Sequence, residues 1–413
     1  MFIAWLRRFL VFALLPVMLA PAPAAAGPAS VAALPRLWDA TIVVDGVQVP
    51  FAFEIVRGRG AIVASFFNGS RRISSTAGEI AGERLLFSFA QYGATLAASL
   101  GEGRLAGEYR RGSKTVYPFS AVPAAHVHRA AGDAPSIAGT WIVQARSSKG
   151  ETAWRFIARE EDGRVTATIL RVDGDTGTLT GSFDDGRYVL SHFSGARPLL
   201  LEVFPRADGT LQLRQNGRMQ LTAVREGDPR AAAIGVPADP DRHTGIRDAS
   251  APFHFSFPDL SGTIVSDTDA RFAGKVVLVS ISGSWCPNCH DEAPFLASLY
   301  KKYRDRGFEV VTLSFEEKEQ LANPERLRAF ITTYGFQHTV LLAGQPDQVT
   351  ELVPQAINLN AFPTSFILGR DGRVRAVHAG FPSPGSGAFY RQAETDVSRQ
   401  IEQLLAERPE EKK

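Results

Sequence analysis

The chain has 413 residues, enough for about two to four domains, each with its own core. Hydrophobic residues make up 45% and charged residues 21% of it, which excludes a disordered chain and a polytopic membrane protein. A net charge of +2 with no run of Lys or Arg gives no electrostatic basis for serving nucleic acid.

The N-terminus reads as a targeting segment. Arg7 and Arg8 precede the apolar stretch Phe9 to Ala20, and Pro21 to Ala26 is rich in alanine. That order predicts a secretory signal peptide over residues 1–26, cleaved after Ala26, and therefore an exported, soluble protein. An uncleaved anchor is the rival reading, but the two arginines and Pro16 interrupt the segment as a membrane span.

Two all-β units follow, over residues 34–123 and 137–226. In the first, Val47, Val49, Phe51, Phe53 and Ile55 alternate behind an Asp45-Gly46 hairpin signal, and no helical period is long enough to compete. In the second, turns fall at Asp162-Gly163, Asp185-Gly186, Asp208-Gly209 and Asn216-Gly217. The second unit reads as a repeat of the first. Gly60-Ala61-Ile62-Val63-Ala64 parallels Gly163-Arg164-Val165-Thr166-Ala167 at an offset near a hundred residues. Each unit is expected to be a small barrel or sandwich, with Trp141 and Trp154 as core residues. His126 and His128, in the loop between the units, read as a solvated linker rather than a metal site. Residues 227–251 are polar and proline-punctuated, a linker.

From residue 252 to 413 strand and helix patterns alternate, which predicts an α/β domain. Val276 to Ile281 reads as a buried central strand and about Cys286 to Arg306 as a helix with Pro294 inside it. A further helix is expected over Pro324 to Tyr334, a hairpin across Asp371-Gly372, and a last helix over Phe389 to Ala406.

The only two cysteines, Cys286 and Cys289, stand where the central strand gives way to the helix. At a helix N-terminus the unpaired backbone N–H groups and the dipole favour an anion, so Cys286 is placed to react as a thiolate. Cys289 is about one turn on, within reach of a disulfide. A structural zinc needs four ligands and there is no second cysteine pair, so no metal is expected. A structural staple is the other rival. An exported protein meets oxidising conditions, yet this one commits both thiols to a single CxxC, which favours dithiol exchange with no further cofactor.

These residues, with others in the last two-fifths of the chain, resemble the TlpA type of thioredoxin-fold domain, the exported bacterial thiol-disulfide oxidoreductases that include the ResA group. The matching marks are Phe257-Pro258-Asp259-Leu260, Gly274-Lys275-Val276-Val277-Leu278-Val279, Trp285-Cys286-Pro287-Asn288-Cys289, Glu292, Pro294 and Phe362-Pro363-Thr364. The resemblance implies an exposed nucleophile at Cys286, a buried resolving thiol at Cys289, a buried proton-trading acid at Glu292 and the family's cis-proline at Pro363. It further implies that Phe362 offers its backbone to substrate, with Trp285, Pro287 and Asn288 beside it. Implied too are a periplasmic location, disulfide-bearing exported proteins as partners and a DsbD- or CcdA-like membrane electron donor. Proline following the first cysteine, rather than preceding the second, departs from many members and leaves the direction of electron flow open. Two rival functions are a thiol peroxidase and a redox-sensing scaffold whose β units hold a ligand or partner.

Overall fold

The computed structural model describes residues 34–58, 60–125 and 134–407. The expected signal segment and the His126/His128 loop lie outside them.

The first sheet is a nine-stranded antiparallel meander whose first strand, Leu37–Val44, pairs with both its neighbour Val47–Arg57 and the last strand, Thr115–Pro123. At Asp45-Gly46 the chain turns with φ of 50° and 80°, the left-handed pair that a two-residue hairpin matching strand twist demands. The alternation of the strands then points one face inward. Trp38, Phe53, Phe66, Phe87, Tyr109 and Phe119 meet in one buried cluster, so the sheet is rolled around its own core. Its seam falls between Ile62–Asn68 and Ala77–Ala81, which pack side by side without a ladder.

The second sheet also has nine strands, from Gly139–Gln144 to Met219–Arg225, and these two end strands pair with each other. Here the seam is closed. Arg164–Arg171 bonds to Ala153–Glu161 on one side and to Leu179–Asp184 on the other, leaving the short Gly174–Asp175 strand outside the ring. Trp141, Phe156, Ile169, Leu190, Leu201 and Leu213 fill it. Phe193 and Ala196, which follow a strand of this second sheet, are buried in the first sheet's core, and the Tyr109 hydroxyl donates to the Gly195 carbonyl at 2.7 Å. The β region is thus one packed body.

Residues 227–251 carry two one-turn helices, Ala231–Ile234 and Pro240–His243, and the Gly245–Ile246 strand pairs with Ala356–Ile357. The second of these helices sits on the Val374–Ala379 strand, where Asp241 meets His378 at 2.5 Å.

The C-terminal domain is a five-stranded sheet in the order Thr339–Gly344, Phe308–Phe315, Val276–Ser282, Thr364–Leu368, Val374–Ala379. The first three are parallel, Thr364–Leu368 runs antiparallel to the central strand, and Val374–Ala379 is antiparallel to Thr364–Leu368. Every residue of Val276–Ser282 and Phe308–Phe315 is buried, as parallel strands covered on both faces require. On one face lie Leu296, Leu299 and Tyr303 of helix Pro287–Tyr303 with Val397, Ile401 and Leu404 of helix Ala388–Ala406. On the other, Phe253, Phe255 and Val349 pack against Val279, Ile281 and Leu313. This is the thioredoxin arrangement, and it delivers the end of the central strand to the start of one helix.

Candidate active site

The central strand ends at Ser282, and Cys286 is the N-cap of helix Pro287–Tyr303. Pro287 opens the helix, where its missing N–H costs nothing and its fixed φ suits the first turn. The Cys286 Sγ accepts from the Cys289 backbone N–H at 3.4 Å and donates to the Phe362 carbonyl at 3.3 Å. Helix start, sulfur and the Phe362–Pro363 loop therefore converge, and the Phe362–Pro363 bond is cis. Both cysteines are free thiols. Trp285 leans on Phe362, ring centroids 5.2 Å apart, and its indole N–H donates to the Phe315 carbonyl at 2.8 Å.

Behind the cysteines Glu292 is buried and accepts hydrogen bonds from Ser280 at 3.0 Å and Ser365 at 2.9 Å. Removal from water disfavours the carboxylate more than two hydroxyls favour it, and its pKa rises to about 7. Burial also pushes the Cys289 thiol well above its ordinary range, helped by Cys286 and by the charge of Glu292. Both groups thus have their protonated forms favoured by burial, and the charge of one bears on the other inside the fold.

One expectation is corrected. Cys286 was expected to be exposed, as an attacking nucleophile would be, but only 4% of it reaches solvent. The β region lies over it. The Arg111 guanidinium donates to the Trp285 carbonyl at 2.6 Å, and the Asn288 amide donates to the Asp173 carbonyl. Arg197 reaches both the Asn288 carbonyl and, at 2.7 Å, the Asp291 carboxylate. Asp291, 1% exposed, also takes Arg71 and, at 3.1 Å, the Asn68 amide. The Tyr92 ring stacks on His290 at 4.0 Å with 17° between the planes. Burial holds His290 neutral, its ring nitrogens bound to the Tyr334 hydroxyl and the Ser284 carbonyl, both at 2.9 Å.

All eight residues singled out in the sequence lie around this helix end. Cys286, Cys289, Glu292 and Pro363 surround the sulfurs, while Trp285, Phe362, Pro287 and Asn288 form the rim. What sequence reasoning missed is Asp291, His290 and their partners Asn68, Arg71, Tyr92 and Arg197, together with Arg111 on the Trp285 carbonyl. The only signal was Asp291 itself, a charge beside the motif at a helical position adjoining the buried Glu292. Its partners are up to 223 residues away and belong to a region whose local pattern speaks only of strands. Among the described residues no group of three or more His, Cys, Asp or Glu side chains is arranged to hold a metal.

A thioredoxin sheet with a dithiol capping its first long helix, a buried acid behind and a proline loop in front defines a thioredoxin-fold dithiol protein. Comparison with known proteins carries this further. Residues 248–377 match the AhpC/TSA family. The thioredoxin-like protein YneN of Bacillus subtilis is 30% identical over 139 residues, 34% of this chain and 75% of that protein. The thiol-disulfide oxidoreductase ResA of Bacillus cereus is 29% identical over 121 residues, which span 29% of this chain and 63% of ResA. A solved thiol:disulfide interchange protein of the thioredoxin family from Chlorobium tepidum is 27% identical, with a TM-score of 0.30, 38% of this chain and 95% of that one covered. Through its C-terminal domain the chain belongs to the thioredoxin-like thiol-disulfide oxidoreductases.

Proposed function

We propose that the protein is an exported reductase of disulfides in partner proteins, working through Cys286 and Cys289. The carrying observation is Cys286, capping the helix 3.3 Å from the Phe362 carbonyl, with Cys289 and Glu292 buried behind it. The Cys286 thiolate attacks one sulfur of the partner's disulfide and forms a mixed disulfide, while the partner's other sulfur leaves as a thiolate. Cys289, its proton passed to the Glu292 carboxylate, attacks Cys286 Sγ. The Cys286–Cys289 disulfide forms and the second partner thiolate leaves. Two electrons have moved from the dithiol to the partner, and no other cofactor is needed.

The cycle closes when a thiol donor reduces Cys286–Cys289, for which a membrane protein of the DsbD or CcdA kind is proposed. The basic and apolar first 26 residues support export. Among the described residues no helix is long and apolar enough to cross a membrane.

The matching order of strands in the two sheets supports a duplication. Each begins and ends with mutually paired strands, and each places Ile62–Asn68 or Arg164–Arg171 third. We read residues 34–123 and 137–226 as tandem copies of one barrel unit, with residues 227–251 joining them to the thioredoxin domain of residues 252–413.

The test is capture. Cys289→Ala is expected to accumulate mixed disulfides with exported proteins, visible on non-reducing gels, and Cys286→Ala to form none and to lose insulin reduction. Undiminished reduction by Cys286→Ala sinks the proposal, and a Cys286–Cys289 potential near −120 mV rather than about −270 mV would reassign it as an oxidase.

A further inference from the structure

The hairpin Arg171–Asp175 of the second sheet lies against the rim of the dithiol. Val172 is buried among Ala361, Ala379 and Ala238, beside the loop that carries Phe362 and Pro363. Gly174 pairs in parallel with Phe381, and the Asp173 carbonyl accepts from Asn288, between the two cysteines. The approach is close enough to require glycine on both sides. A Cβ on Gly174 would stand 2.4 Å from the Phe381 carbonyl oxygen, and one on Gly380 2.4 Å from that of Val172. The Val172–Asp173 turn and Gly174 thus stand beside the sulfurs, in space that a polypeptide docking there would need.

We propose that the β region is a removable cap on the dithiol. Its Arg171–Asp175 hairpin occupies the strip a disulfide-bearing segment must take, so Cys286 exchanges only when the β region lifts away.

Three features argue for a cap rather than a permanent wall. The apolar contact at the hairpin is small, one valine against three alanines. Elsewhere, apart from the Tyr92 ring on His290, the contacts named between the regions are polar: Asp291 with Asn68, Arg71 and Arg197, and Asp175 with the Ser383 backbone N–H and hydroxyl at 2.8 and 3.0 Å and the Ser386 hydroxyl. Polar contacts between domains of one chain are those that open most readily. Each side also keeps its own core. Val172 belongs to neither barrel interior, and the thioredoxin sheet is covered on both faces by its own elements.

The cap gives the reductase reading a gate, but its test measures access alone. The reduced full-length protein is treated with iodoacetamide, and Cys286 alkylation is followed by mass spectrometry against N-acetylcysteine at the same pH. Cys286 is expected to react at least about tenfold more slowly than the free thiol, because reaction waits on opening. Val172→Gln puts an unpartnered amide against Ala361 and Ala379 outside both barrel interiors, and is expected to accelerate alkylation at least about tenfold with circular dichroism unchanged. Asp291→Asn, which removes the charge facing Arg71 and Arg197, is the second variant and is expected to do the same. Wild-type alkylation as fast as the free thiol, or folded variants no faster than wild type, overturns the cap. Failure of mixed-disulfide capture with these alkylation results intact would remove the reductase reading and leave the cap standing.

Discussion

Asp291 and Glu292 are consecutive acids on one helix, and they are buried by two different regions of the molecule. Glu292 points into the thioredoxin domain, where two serine hydroxyls are its partners and its pKa climbs to about 7. Asp291 points into the β region, where two guanidiniums and an amide surround it. Successive helix residues are about 100° apart, so a single turn can serve two surfaces. The difference separates two uses of a buried carboxylate. Left without a cation, it becomes a group that exchanges protons near neutral pH. Given two, it pairs with both and ties the regions together.

The strongest way to break this contrast is to remove the tie. Asp291→Ala removes the carboxylate that Arg71 and Arg197, a quarter or less exposed, both pair with, and is expected to cost about 3–5 kcal/mol of contact between the regions. Calorimetry should then resolve separate transitions for the β region and the thioredoxin domain. A single transition at the wild-type temperature would mean that the ion pairs do not hold the regions together.

The second prediction concerns the acid without a cation. Because the folded pKa of Glu292 lies above its ordinary value of 4.5, the folded state holds a proton that the unfolded chain releases. Its stabilising contribution is therefore complete below about pH 4.5 and is lost as pH rises through about 7, an effect of about 3 kcal/mol. Urea titrations of wild type and Glu292→Gln across that window should show their stability difference changing by this amount. A difference independent of pH would place the proton elsewhere. The same substitution should remove an inflection near pH 7 from the rate of disulfide reduction, because Glu292 no longer accepts the Cys289 proton.

The smallest effect sharpens the contrast at the other edge of the interface. Ser383→Ala removes one hydroxyl from Asp175 but keeps the backbone N–H and Ser386. A loss of about 1 kcal/mol in unfolding free energy is expected. Burial holds the Asp175 carboxyl above its ordinary range, so a much larger loss would show that this hydroxyl is what keeps it in place.

The strands and the dithiol were legible because their signals are local. Val47 to Ile55 alternates whatever it packs on, and an Asp-Gly pair turns the chain by its own dihedral preference. The helix after Cys286 was expected to run to Arg306; it ends at Tyr303, and one turn of 3₁₀ helix over Arg304–Arg306 completes it. Residues 227–251, read as a linker, include a helix that docks through Asp241 on His378. A proline-punctuated polar stretch carries no period that announces such a contact.

By itself the sequence determined an α/β domain, a β-rich region before it, and a CxxC dithiol at a strand–helix junction. Each follows from residues within a few positions of one another: periodicity sets the faces, turn residues set the reversals, and two spaced thiols set the chemistry. Only the tertiary structure decided that Cys286 is covered, that Asp291 and Glu292 face different regions, and that a hairpin near residue 173 rests on the rim of the site. Those facts depend on groups brought together from far apart in the chain, 223 residues for Asn68 and Asp291 and 115 for Asp173 and Asn288. Packing and charge pairing at that separation leave no periodic trace in the chain.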